Sequence, residues 1–100
     1  MNKEGNELIA KNLVERLTAF YENVRGCQLY ENSPEMSYKC FCESFENFPY
    51  YGDNLYNLIY LSYQLQDWSK TIEYIRFVRQ NDILHPALHQ LVEMIKEQIR

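Results

Sequence analysis

Between Leu55 and Arg79 the chain reads LYNLIYLSYQLQDWSKTIEYIRFVR, two stretches of helical apolar spacing that meet at Gln66-Asp67-Trp68. Leu55, Leu58, Ile59, Ser62 and Leu65 fall within one arc at about 100° per residue, and beyond the hinge Trp68, Thr71, Ile72, Ile75 and Val78 repeat the pattern. So short a join turns the second helix back along the first, and the stretch predicts an antiparallel helical hairpin. Asp53 and Asp67 are placed to cap its two helices, because a carboxylate there accepts from the free N–H groups of the first turn.

The flanking segments extend the same logic. A first helix over about Asn6 to Val24 carries Leu13, Leu17, Phe20 and Val24 at helical spacing, with Gly26 as its expected C-terminal stop. Ser33-Pro34-Glu35 supplies an N-cap hydroxyl, a proline suited to the first helical position and an acid on the positive helix end. It opens a second helix to about Asn47, with Met36, Cys40, Phe41 and Phe45 as its expected buried side. Pro49-Tyr50-Tyr51-Gly52 then breaks the chain. Asn81-Asp82 ends the fourth helix, and Pro86 starts a fifth, in which Leu88, Leu91, Val92, Ile95 and Ile99 form one face and Glu93, Lys96, Glu97 and Arg100 the other. No interior stretch alternates apolar and polar residues long enough for a strand. The reading is an all-α, single domain over residues 1–100: antiparallel helical hairpins, about five helices, the last a cap with one wet side.

Composition narrows the function. Acidic and basic residues are interspersed and sum to a net charge of −4, so no basic stripe offers itself to a phosphate backbone and no nucleic-acid partner is expected. The N-terminus lacks the apolar run of a secretory signal, and no stretch approaches the roughly 20 apolar residues that span a bilayer. Cys27, Cys40 and Cys42 are an odd set, which fits reduced thiols facing a cytosolic compartment better than a disulfide framework.

Catalytic and metal chemistry find little to work with. His85 and His89 have a spacing that can place two imidazoles on one metal, but Cys40 and Cys42 stand two apart on a helix and point away from one another, so no metal site or other cofactor is expected. Cys27, following Gly26, is the one candidate nucleophile, without an evident base or third member. No glycine-rich phosphate loop is present. The expectation is a protein that is not an enzyme.

The hairpin resembles the tetratricopeptide pattern at Leu58, Asp67, Trp68, Thr71, Ile75 and Val78, and departs from it at Ile59, Ser62 and Gln66, the last standing where a turn glycine is usual. A more specific likeness covers Tyr63, Leu65, Asp67, Trp68, Lys70, Ile72, Tyr74, Ile75 and Arg76, which in register resemble the second repeat of the mitochondrial fission 1 protein family, small adaptors of the outer membrane. The likeness runs from Asp53 to Ile99 and continues weakly upstream. It implies a concave groove that takes a helical or extended segment of a fission adaptor or of a dynamin-related GTPase. It also implies a C-terminal membrane tail beyond Arg100. With such a tail the expected place is the cytosolic face of the mitochondrial outer membrane, and peroxisomes with it; without one it is the cytoplasm.

The residues supply their own reason to look at that groove. Tyr56, Tyr60 and Tyr63 recur at i, i+4 and i+7, a second stripe offset from the leucine face, with Gln64 beside it. Tyrosine gives contact area for little lost entropy, and its hydroxyl tolerates water until a partner arrives. The same offset on the first helix nominates Lys11, Thr18, Tyr21 and Arg25, with the groove between the first and third helices. Three other readings stay open: a small tetratricopeptide chaperone for a type III secretion needle subunit, a structural metal protein built on the cysteines and histidines, and a homodimer that buries the tyrosine groove against itself.

Overall fold

A computed structural model describes residues 3–98 of the chain, with side chains from residue 10. Five helices follow one another: α1 (Lys3–Leu29), α2 (Pro34–Asn47), α3 (Gly52–Gln64), α4 (Trp68–Gln80) and α5 (Pro86–Gln98). Helix α1 pairs with α2 and α3 with α4, each pair antiparallel, while α3 also packs on α2 and α5. This is an all-α helical-repeat arrangement in which α3 is the central element. Its Leu55, Leu58, Ile59 and Leu61 meet Phe41 of α2, Tyr74, Ile75 and Val78 of α4, and Leu88 and Ile95 of α5 in one core.

The first hairpin departs from its sequence reading in both boundary and face. Gly26 does not stop α1; it is a buried residue inside it, and the helix runs on to Leu29. A Cβ at Gly26 would stand 2.4 Å from Cε1 of Phe41, so the glycine is there to let the two helices approach. Ser37 Oγ donates to the Gly26 carbonyl at 2.6 Å and Ser44 Oγ to the Ala19 carbonyl at 2.7 Å. Small residues on both sides thus replace an apolar interface, and buried hydroxyls satisfy themselves on carbonyls of the neighbouring helix. Leu13, Leu17 and Phe20, which the apolar pattern marks as the packing face, are 57%, 58% and 56% exposed. In α2, Cys40 and Phe41 are buried as expected, but Met36 faces out and Ser37 and Ser44 take its place inside.

The hinge of the second hairpin forms as the sequence indicates, with one conformational cost. The N–H of Asp67 reaches back to the Ser62 carbonyl at 2.9 Å and that of Gln66 to Tyr63 at 3.1 Å, the two bonds of a Schellman ending for α3. Such an ending needs a left-handed residue, and Gln66 supplies it at φ 62°. Asp67 then caps α4, its carboxylate accepting from the Lys70 N–H at 3.4 Å. Inside the crossing, Ser62 Oγ and Thr71 Oγ1 lie 2.8 Å apart, and Thr71 also donates to the Asp67 carbonyl. Thr71, Ile75 and Val78 are buried with Tyr74, whereas Leu65, Trp68 and Ile72 sit at the rim and remain 40–47% exposed. Leu65 lies past the end of α3, and Trp68 and Ile72, at the start and on the flank of α4, border an open cleft of about 350 Å³ shared with Ile95 of α5.

At α3 the expected Asp53 cap is absent: Tyr51 occupies the capping position, and no side chain bonds the first turn. Asp53 instead pairs with His85 across 2.6 Å, tying the start of α3 to the start of α5. Helix α5 buries Leu88, Leu91, Val92 and Ile95 and exposes Glu93 and Glu97, as its pattern predicts; Ile99 and Arg100 lie outside the described residues.

Helix α1 gives the molecule its shape. At 1.5 Å per residue its 27 residues extend about 40 Å, twice the reach of the 14-residue α2. Arg16 already sits over the ring of Phe48, the residue that ends α2, so α1 upstream of Arg16 passes beyond its partner. The principal extents are 53 × 31 × 21 Å, and the radius of gyration of 14.9 Å exceeds the roughly 13 Å of a compact chain this long.

Candidate functional site

The tyrosine stripe of α3 faces α1 across a cleft of about 340 Å³ lined by Cys27, Tyr30, Phe41, Tyr56, Asn57, Tyr60 and Leu61. Tyr56 and Tyr60, one helical turn apart, stack nearly parallel with ring centroids 6.3 Å apart, and Tyr30 closes on Tyr60 from α1's end at 6.4 Å. Gln64 joins these rings: its Nε2 donates to the Tyr60 hydroxyl at 2.9 Å, and its Oε1 accepts from the Tyr30 hydroxyl. Burial first, and the neighbouring Tyr60 second, push the Tyr30 phenol above its ordinary ionisation range. None of the residues lining this cleft carries a formal charge at neutral pH.

The opposite wall is fixed by a polar contact. Asn57 Nδ2 donates to Asn23 Oδ1 at 2.9 Å and lies 3.5 Å from Cys27 Sγ, so α1 is held to α3 by side-chain amides. Phe20, further along α1, stacks with Tyr51 at 6.4 Å just before α3 begins. A charge-free cleft with aromatic walls and hydroxyl and amide groups at its edge suits an apolar or amphipathic segment, not an ion.

The structure therefore brings together Tyr56, Tyr60 and Gln64, and sends Tyr63 elsewhere. Tyr63 packs edge-on against Trp68 at 5.3 Å and belongs to the α3–α4 hinge. The four nominees on α1 do not face α3. Arg25 pairs with Glu22 at 3.8 Å and lines a different cleft, with Met36, Lys39, Cys40 and Glu43 toward α2. Tyr21 and Lys11 are exposed and Thr18 half-buried, all at least about a third of a turn away from Asn23 around the helix. The groove-facing residues of α1 are Asn23, Cys27 and Tyr30, again at i, i+4 and i+7. Their stripe becomes visible once Ala19 and Gly26 are taken as the side that packs on α2.

The remaining chemistry-bearing residues are dispersed. His85 bonds Asp53 and accepts from the Leu88 N–H through Nδ1, while His89 is engaged with the Ile83 carbonyl, so the two imidazoles serve separate structural contacts. Cys40 is buried, and burial raises both its thiol and that of Cys42, which lies 3.9 Å from the Tyr74 hydroxyl. Among the described residues no group of three or more potential metal ligands converges. A second cleft of about 490 Å³ runs over α4, but Glu73, Arg76 and Gln80 rim it with solvated polar groups. No described helix is long and apolar enough to cross a membrane. Compared with known proteins, the chain matches no family model, no curated protein and no solved structure.

Proposed function

We propose that this protein is a non-enzymatic adaptor with a tetratricopeptide-like architecture, which takes a helical or extended segment of a partner protein in the groove between α1 and α3. The observation that carries the reading is the Tyr56–Tyr60–Tyr30 cluster along an uncharged cleft, Tyr60 and Tyr30 tied by Gln64 and Tyr56 stacked on Tyr60. Rings that are already oriented lose little freedom on binding, and their hydroxyls pair with water or with a peptide backbone equally well.

The finer identity rests on the resemblance to the fission 1 family. Under it the partner is a fission adaptor or a dynamin-related GTPase, and the site of action is the outer mitochondrial membrane. In the folded chain the residues that carry this likeness form the hinge and α4: Asp67 caps, Trp68 packs on Tyr63, and Tyr74 and Ile75 are buried. They support the kinship of the hairpin, while the groove supports binding. Crossing a membrane would need a segment other than α1–α5.

The test is a titration of the protein with fluorescent segments of the dynamin-related GTPase and fission adaptors from the organism that encodes it. Binding that is lost in Tyr56→Ala/Tyr60→Ala, with the helical circular dichroism signal retained, is the expected result. Equal affinity of the variant and the parent would reject the groove, and no binding by any segment would reject the fission assignment.

A further inference from the structure

We infer that a second copy of this chain packs along α1, through a seam of Leu13, Leu17, Phe20 and Val24, as an antiparallel helix pair. Steps of four, three and four residues separate these side chains, and Ala10 continues the alternation upstream. That is the narrow stripe of a coiled-coil seam, in which residues repeat every 3.5 positions and lock into the facing helix. Apart from the Phe20 ring, which stacks with Tyr51, it is not the face that α1 uses within its own chain, since Ala19, Asn23 and Gly26 serve there.

The length of α1 adds a second reason. Upstream of Arg16 the helix has passed the end of α2, and Leu13 and Val14 are more than half exposed on this projecting part. A stretch of about a dozen residues is marginal as an isolated helix in water and gains most from an apolar neighbour. Two copies running antiparallel give each projecting segment that neighbour.

Area and charge select the occupant. Leu13, Val14, Leu17, Phe20, Tyr21 and Val24 are 38–63% exposed. They present roughly 600–700 Å² of surface, close to the 800 Å² or so that each partner contributes to a standard interface. When Leu17 of one copy meets Phe20 of the other, Leu13 meets Val24. The flanking positions then place Val14 opposite Tyr21 on one edge, while on the other Arg16 lies over Phe48 and Asn23 is turned into its own chain, so the edges of the seam bring no like charges face to face. The same pairing satisfies both copies at once, which closes the assembly at a dimer.

Sedimentation equilibrium of the chain, from low micromolar to submillimolar concentration, tests the inference. The expected mass is twice the 12.1 kDa of one chain, falling to one chain in Leu17→Glu, while Ile72→Glu on the exposed flank of α4 leaves the dimer intact. A strict monomer overturns the proposal, as does a dimer that survives Leu17→Glu or is lost in Ile72→Glu. Should Leu17→Glu lose its helical signal, Leu13→Cys with Val24→Cys in a Cys27→Ser background decides. Oxidation is expected to link two copies covalently, and a product that stays at one chain's mass rejects the seam.

Discussion

Gly26 of α1 lies flat against the ring of Phe41 in α2, with Ser37 donating into the carbonyl of the same glycine at 2.6 Å. The first hairpin is therefore closed by the absence of side-chain volume. Phe41 is only 2% exposed and has core on its other side, so it has no room to retreat from a methyl group. Gly26→Ala gains up to about 1 kcal/mol of helix propensity but overpacks the crossing by roughly 1–3 kcal/mol. The expected net loss is about 1–2 kcal/mol, read as a lower urea midpoint at unchanged slope. A more stable variant would show that the helices are further apart than described.

That glycine also explains what the sequence conceals. Helix periodicity located α3, α4 and α5 and their buried leucines and isoleucines, because each packs an apolar stripe on other helices. In α1 the same rule selects Leu13, Leu17, Phe20 and Val24, and the helix instead packs by Ala19, Asn23 and Gly26, a stripe too small and polar to register as a core. Once the face of α1 is misassigned, the groove residues nominated on it rotate out of place with it. Tyr56 and Tyr60 are legible from their spacing alone, whereas Tyr30 becomes a wall of the cleft only because α1 continues past Gly26.

Gln66 holds a left-handed conformation that the Schellman ending of α3 requires and that an L side chain resists. Gln66→Gly relieves this at a position exposed to solvent. The expected gain is about 0.5–1 kcal/mol, even after the greater freedom of glycine in the unfolded chain is counted. Differential scanning calorimetry should show Tm rising by roughly 3–6 °C. A fall in Tm would mean that the glutamine side chain contributes a contact that outweighs its backbone cost.

The buried phenols and thiols set the alkaline limit of stability. Burial raises Tyr74 far above the ordinary tyrosine range, with the neighbouring Tyr38 and Cys42 acting in the same direction; burial also raises Tyr38, Cys40 and Cys42. A group whose folded pKa lies above its unfolded value keeps its proton in the fold while the unfolded chain releases it. Full stability therefore holds below the unfolded values, about pH 8.5 for thiols and about 10 for phenols, and declines as pH rises beyond them. Tyr74→Phe removes one such proton, so above about pH 10 its unfolding free energy should fall less steeply, by roughly 1.4 kcal/mol per pH unit. Urea titrations of parent and variant across that range give the comparison; parallel slopes would show that Tyr74 ionises freely in the folded protein.

The central claim is that a partner segment lies between α1 and α3. An NMR titration of isotope-labelled protein with the tightest-binding segment locates it directly. Amide shifts are expected to concentrate at Asn23–Tyr30 and Tyr56–Gln64, the two walls that Asn57 and Gln64 tie together. Shifts centred instead on Glu73, Arg76 and Gln80 of α4, with the tyrosine walls unmoved, would contradict it.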